Sequence, residues 1–383
     1  MEYQNLLPVL LLATAACGAD ASGKDTAAAA PTWSLSPAPV VSIGEVDGDP
    51  DYQLYQATDA TVRTDGSIAV VNTGNATVAV YDRQGRFLAR IGRKGQGPGE
   101  FEVPTWIASL PGDTVVAWDA RLRRLSYFDP AGRLARLTTL TDAEGTFPKA
   151  VGLLADGSFL VDRGPDMIAM MQGRRGVWRD SSSVQRFGRD GRPVGKVGPF
   201  PSDDVYLRDR VGGFGWDDLP FGRRTFLAAT RQGLYVGDSG TGEIVVYAPD
   251  GTRSRGLRSP HAPWAISESD VARYKEERLE RVAASDRRKE TEAMLAEAPF
   301  PKKSPSFGGM AVDPDGNVWV QEYPRPGQAE VAWTVLGRDG RTVARIQLPR
   351  ALEVYEVGND YVLGRRRDDL DVEHVELYSV TRS

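Results

Sequence analysis

The sequence predicts an all-β chain folded as a six-bladed β-propeller with four-stranded antiparallel blades. Three observations carry this: two families of recurring glycine turns, the short β-prone runs between them, and a repeat near 45 residues. The first turns are Gly66, Gly112, Gly157, Gly233 and Gly316, the second Gly85, Gly132, Gly191, Gly251 and Gly340. Separations within pairs are 19, 20, 34, 18 and 24 residues, and successive first turns lie 46, 45, 76 and 83 apart. A further turn of the first kind, Gly358-Asn359-Asp360, follows 42 residues after Gly316. Strands and turns repeating at this period describe a small sheet repeated around an axis.

In chain order, residues 6–16 form an apolar stretch too short to span a bilayer and of the length of a signal-peptide core. It ends at Thr14-Ala15-Ala16-Cys17-Gly18, which resembles the lipobox of bacterial lipoproteins, with Thr14 in place of the usual Leu. Cys17 is the only cysteine in the chain and is the expected site of lipidation. Residues 18–37, dominated by Ala, Ser, Pro and Gly, read as a disordered tether. One domain, residues 38–383, follows, and it is long enough to bury a core without disulfides.

The first complete unit sets the pattern. Ile68-Ala69-Val70-Val71 follows Asp65-Gly66, Thr77-Val78-Ala79-Val80-Tyr81 leads to Gln84-Gly85, and Phe87-Leu88-Ala89-Arg90-Ile91 precedes Gly92. These are β-branched or aromatic runs bounded by turns in which glycine supplies positive φ. The second unit repeats it with Thr114-Val115-Val116-Ala117-Trp118, Arg124-Leu125-Ser126-Tyr127-Phe128 and Leu134-Ala135-Arg136-Leu137. The last unit ends one strand short, and Pro39-Val40-Val41-Ser42-Ile43 is the expected donor of the missing strand, since an open edge leaves backbone groups unpaired.

The long intervals locate two insertions. Residues 164–180 and 198–224 are rich in Gly, Pro, Asp and aromatics and are expected to be loops. Residues 267–298 are expected to form a single surface helix, opened by a Ser267/Asp270 capping box, with Val271, Tyr274, Leu279 and Val282 as a thin apolar stripe.

Composition excludes several functions. A net charge of −5 argues against nucleic acid as a partner. Two histidines, His261 and His374, are too few for a typical zinc site, and no metal ligand set is nominated. The glycine-rich Gly92-Arg93-Lys94-Gly95-Gln96-Gly97-Pro98-Gly99-Glu100-Phe101 opens no helix with Gly-Lys-Ser/Thr, so it reads as a crossover between blades rather than a phosphate loop. Asp313-Pro314-Asp315-Gly316-Asn317 lacks the distal glutamate of a calcium loop and reads as a hairpin turn. Asp203-Asp204, Asp217-Asp218 and Asp368-Asp369 are the remaining sources of oxygen ligands.

The stretch GRKGQGPGEF (92–101) after VAVYDRQGRFLARIG (78–92), together with the closing YVLGRRRDDLDVEHVELYSV (361–380), resembles the NHL-type six-bladed propellers of bacterial envelope lipoproteins. The likeness runs from about residue 38 to the end. It implies a lipid-anchored location at the bacterial cell envelope, facing the periplasm or the exterior. Related propellers include protein- and RNA-binding modules, calcium-dependent lactonases and a zinc-dependent peptidyl lyase.

The leading expectation is a non-catalytic scaffold, membrane-anchored through Cys17, that binds a protein or glycan through loops bearing Arg93, Glu100, Trp216, Phe221, His261 and Trp264. No catalytic residue and no cofactor are predicted. One alternative is a lactonase-type hydrolase, for which calcium would be the cofactor. The other is a structural subunit of an envelope complex, docking through the helical insertion.

Overall fold

The computed structural model describes residue 1 and residues 30–141, 148–166, 175–210, 213–282 and 286–382. Residues 6–16, Cys17 and most of the expected tether lie outside the described residues.

Six antiparallel sheets follow one another in chain order. The first is Ala57–Val62, Ile68–Asn72, Thr77–Tyr81 and Phe87–Ile91. The second is Pro104–Leu110, Thr114–Asp119, Arg124–Phe128 and Leu134–Thr139. Lys149–Leu153, Phe159–Asp162, Ser181–Phe187 and Pro193–Pro201 make the third. Thr225–Thr230, Gly233–Asp238, Glu243–Tyr247 and Arg253–Arg258 make the fourth. The fifth is Gly309–Val312, Val318–Gln321, Glu330–Leu336 and Thr342–Pro349. In the sixth, Glu353–Val357, Tyr361–Arg367 and Glu373–Thr381 are joined by the N-terminal Val41–Ile43, paired as Val41 with Leu377 and Ile43 with Val375.

The first strands of successive sheets touch in order, and Glu353–Val357 of the sixth returns against Ala57–Val62 of the first. All six line one cavity of about 890 Å3. The arrangement is propeller-like.

Its core is divided among the spaces between neighbouring sheets. Ala69, Val71, Val78 and Val80 of the first sheet pack with Ile107, Val115 and Phe128 of the second. Ile68, Val70 and Ala79 pack the other way, with Val41, Ile43, Leu363 and Val375 of the sixth. Side chains of a strand alternate between its faces, so a strand with a neighbour on each side must be apolar at every position. That is why Ile68–Asn72 and Thr77–Tyr81 are buried throughout, with polar residues, Asn72 and Thr77, only where the two strands meet at their connection.

The tether expectation fails at its C-terminal end. Ser34–Leu35 pairs with Thr381 and Val380, and Trp33 is 6% exposed, 5.6 Å from the Trp319 ring and covered by the Arg382 guanidinium at 4.5 Å. A single buried tryptophan with a cross-strand partner outweighs the Pro- and Ser-rich composition around it.

The predicted turns are tight hairpins. Gly66, Gly85, Gly112, Gly132, Gly157, Gly191, Gly251, Gly316 and Gly340 adopt φ between +76° and +88°. Gly358 closes its turn without a positive φ, donating to the Tyr361 carbonyl at 2.9 Å, and Gly233 departs further, because the turn there is Arg231-Gln232 and Gly233 begins a strand. A Cβ at Gly233 would lie 2.2 Å from the Tyr247 carbonyl oxygen, so close approach of backbone, not a turn, requires glycine there. Three sheets add a clamp across their paired turns. Arg83, Arg189 and Arg338 donate Nε–H to the carbonyls of Asp65, Asp156 and Asp315 at 2.6, 2.6 and 2.8 Å. Where the first turn is not Asp-Gly, at Pro111-Gly112 and Arg231-Gln232, the matching second turn carries Pro130 or Pro249 instead of arginine.

Strands alternate in direction, so the connection between the second and third strands of a sheet emerges on the same face as the connection to the next sheet. Both insertions lie on these connections, opposite the glycine hairpins. Residues expected to be loops form a seventh, three-stranded sheet among the described residues, Gly176–Trp178, Val205–Arg210 and Gly213–Asp218. The β-prone Val205-Tyr206-Leu207 pairs with Trp216-Asp217-Asp218, Leu207 is buried, and hairpin pairing overrides the glycine content. The expected single helix is two, Glu268–Glu280 and Asp286–Glu297, the first opened by the Ser267/Asp270 capping box. Among the described residues no helix is long and apolar enough to cross a membrane.

The two insertions meet. Tyr206 of the added sheet packs with Met294, Leu295 and Ala298, and its hydroxyl donates to the Glu297 carbonyl at 3.4 Å. Glu277 fixes the first helix to the fifth sheet by accepting from both Arg350 terminal nitrogens at 3.1 and 2.9 Å. Together they form one cap on one face of the ring.

Candidate functional site

Under the added sheet lies a pocket of about 520 Å3, walled by the third and fourth sheets and by Trp216 and Asp218 of the cap. Ala150, Val151 and Leu227 line both this pocket and the central cavity, so the two adjoin.

Several polar groups of the pocket are oriented from behind. Asp162 Oδ1 accepts from the Ser182 hydroxyl at 2.5 Å and from the Gly164 amide at 3.0 Å. Asp203 Oδ1 accepts from the Thr225 amide at 2.9 Å, while its Oδ2 accepts from Arg224 Nε at 3.3 Å. The Arg224 guanidinium stands 6.0 Å over the Phe226 ring. Asp218 and Lys149 line the pocket with exposed side chains that make no hydrogen bond or ion pair among the described residues. Trp216, 40% exposed, is the one exposed tryptophan among the described residues. It pairs in register across the cap sheet with Leu207, which is buried.

The central cavity is acidic at one seam. Asp59 and Glu356 face it from the first and sixth sheets. Asp59 accepts from the Ala60 and Ile107 amides at 2.9 and 3.0 Å, tying the first sheet to the second. Glu356 accepts from the Thr61 hydroxyl at 2.5 Å, from the Val62 amide at 3.3 Å and from the Tyr361 hydroxyl, tying the sixth sheet to the first. Burial pushes the Asp59 carboxyl well above the usual range, with the nearby Glu356 and Glu353 charges adding to the effect, and burial likewise raises Glu356. Asp59 thus braces the first sheet against the second and Glu356 the sixth against the first, and no imidazole lines the cavity beside them.

Of the six nominated residues, Trp216 lines the pocket and the others do not. Arg93 and Glu100 hold each other, with Arg93 Nε donating to Glu100 Oε1 at 2.8 Å, and Glu100 Oε2 accepts from the Gly97 amide at 2.8 Å. Arg124 completes that crossover by donating to the Gln96, Gly97 and Glu100 carbonyls. Phe221 is 4% exposed, buried among Trp264, Tyr274, Phe300 and Tyr323, so it is no accessible anchor. Trp264 donates Nε1–H to the Tyr323 carbonyl at 3.2 Å and lies under the Arg325 guanidinium at 4.1 Å. His261 has its Nε2 3.1 Å from the Val320 carbonyl, so that nitrogen carries the proton, and burial lowers its pKa. Phe221, Trp264 and His261 therefore seat the cap on the ring.

The acidic pairs divide in two. Asp204 accepts from Arg223 Nε at 2.9 Å and Asp217 from Arg208 Nε at 2.8 Å, whereas their neighbours Asp203 and Asp218 line the pocket. Lys149, Asp162 and Ser182 carried no signal in the sequence, since only the added sheet brings them into one cavity with Trp216. Asp313 is filled from within, accepting from the Asn317 amide, the Asn317 side chain and Trp319 Nε1. Among the described residues no group of three or more His, Cys, Asp or Glu is arranged to hold a metal ion.

Comparison with known proteins agrees with this architecture. The DUF5128 family model, described as a 6-bladed beta-propeller, matches residues 52–129, which cover the first sheet and most of the second. A putative exported protein of Bacteroides fragilis NCTC 9343 is similar in structure, with TM-score 0.50, 11% identity, and coverage of 91% of this chain and 95% of that one. A DUF4221 family member of Bacteroides vulgatus ATCC 8482 is similar with TM-score 0.51, 12% identity, and coverage of 92% and 99%. Comparison with curated protein sequences gives no match. The chain is thus similar in fold to β-propeller proteins.

Proposed function

We propose that the chain is a six-bladed propeller closed by its N-terminal strand, anchored at the bacterial cell envelope through lipidated Cys17, that binds a protein or glycan without chemical conversion. The observation that carries the reading is the pocket under the cap. It combines an exposed tryptophan with oriented carboxylates and cations, and no described nucleophile in it stands beside an imidazole. The exported relative of similar fold supports the location. The lone Cys17, set after an apolar stretch, supports the anchor. A calcium-dependent hydrolase commonly gathers several carboxylates at one point, and the described residues bring together no group of three or more Asp, Glu, His or Cys, which weighs toward the binding reading.

Two readouts test the proposal in cells producing the full chain. The wild type is expected with the membrane fraction and Cys17→Ser with the soluble one. Equal distribution of the two would remove the anchor. Immobilised full-length protein is expected to retain envelope glycans or proteins and release them unchanged, with or without calcium. Release of a hydrolysed ligand only in calcium would restore the hydrolase.

A further inference from the structure

We infer that the pocket under the cap binds an uncharged saccharide of one or two rings. This rests on the reading above that the capped face is the binding face, and it names the ligand class.

Size comes first. A cavity of about 520 Å3 lies within the range of about 300–1,000 Å3 typical of small-ligand sites. Charge comes second. Lys149, Arg163 and Arg224 are matched by Asp162, Asp203 and Asp218, so the lining is balanced. A phosphate, a polycarboxylate or a polyamine would meet as many like charges as opposite ones, and repulsion would cancel most of its attraction.

The third argument is the kind of surface. Trp216, Phe226, Phe200, Pro165 and Pro201 offer apolar area, and the Trp216 ring is large, rigid and accessible. A sugar ring has one face of C–H groups that suits such a surface and a perimeter of hydroxyls, each both donor and acceptor. The pocket supplies the complement. Asp162 and Asp203 are acceptors held by Ser182, Gly164, Thr225 and Arg224, while Asp218 and Lys149 are an exposed acceptor and an exposed donor that make no hydrogen bond or ion pair among the described residues. Pre-oriented groups lose little entropy when hydroxyls bind them, and charge-assisted bonds to carboxylates are the stronger kind.

Trp216 also provides the assay. Full-length protein is titrated with glucose, galactose, mannose, N-acetylglucosamine, maltose, cellobiose and chitobiose while tryptophan emission is followed. Glucuronic acid, glucosamine and glycylglycine are the charged comparators. Saturable binding of at least one neutral sugar is expected, at least tenfold tighter than any comparator. Trp216→Ala and Asp218→Ala should each weaken it at least tenfold, read by calorimetry where the fluorophore is lost. Lys149→Ala, which removes only an exposed side chain and so keeps the fold, should weaken it as well, with thermal melting as the check on all three. Binding of none of the seven neutral sugars, tighter binding of a comparator, or affinity unchanged in all three variants would overturn the inference. Retention of an envelope protein by the capped face without sugar binding would also overturn it, leaving the proposed scaffold in place. Conversion of a bound sugar would instead overturn the non-catalytic reading.

Discussion

On the face of the glycine hairpins, nine turns repeat one geometry, with φ between +76° and +88°, and three of the paired turns are crossed by the same arginine-to-carbonyl bond. On the opposite face the connections differ in length and structure: a glycine-rich crossover held by Arg124, a three-stranded sheet, and two helices packed on it. The pocket, the exposed tryptophan and the exposed Lys149 and Asp218 are all on this second face. The difference follows from strand alternation. Hairpins must close in a few residues, so their chemistry is fixed, whereas connections between sheets are free to grow and to carry function.

The largest effect is expected on the capped face. Arg124 is 6% exposed and its guanidinium serves three carbonyls, so Arg124→Ala should destabilise the chain by about 3–5 kcal/mol, as loss of a buried charged group with several partners does. Urea unfolding measures it. A loss under about 1 kcal/mol would mean that the crossover holds itself.

Two glycines on the hairpin face separate close approach from turn geometry. Gly233→Ala sets a methyl 2.2 Å from the Tyr247 oxygen and should cost about 2–3 kcal/mol by overpacking. Gly112→Ala, with φ +78° and open space around its Cβ, should cost about 1–2 kcal/mol from backbone strain alone. Equal costs in unfolding titrations would break the distinction.

The central seam should respond to pH. Because the Asp59 carboxyl is raised above its usual 3.8, its stabilising form is the protonated one. That contribution is full below about pH 4 and is lost as pH rises through the raised value. Thermal melting of the wild type should therefore fall, as pH rises from about 4, more than that of Asp59→Asn. Parallel profiles would show that the group ionises without cost.

The smallest effect is expected for the exposed clamps. Arg83→Ala should change stability by about 0.5 kcal/mol, since a solvent-exposed bond competes with water. A loss above about 2 kcal/mol would promote the clamp to a structural requirement.

How much was legible follows the same division of faces. Ile68-Ala69-Val70-Val71 and Thr77–Tyr81 announce strands buried on both sides, and Gly66 and Gly85 announce hairpins, because each is fixed by local geometry. Gly233 misled, since a glycine needed for close approach looks like a turn glycine in sequence. The clamp was present as a covariation of Asp-Gly turns with Arg83, Arg189 and Arg338, and of Pro130 and Pro249 with other turns, visible once the turns are paired. The pocket was less legible. Trp216 stood out as a large aromatic in an insertion, but Lys149, Asp162 and Ser182 come from the third sheet and meet it only through tertiary packing. Phe221 and Trp264 looked like anchors because burial by a neighbouring insertion has no local signature.

The central claim is that the capped face, not the hairpin face, meets the ligand. The direct test places the photo-crosslinking residue p-benzoylphenylalanine at exposed Val177 of the cap sheet or at exposed Ala131 of a hairpin, in the full chain within its native cells. Irradiation is expected to give envelope adducts from position 177 and none from position 131. Adducts from position 131 without any from position 177 would contradict the account.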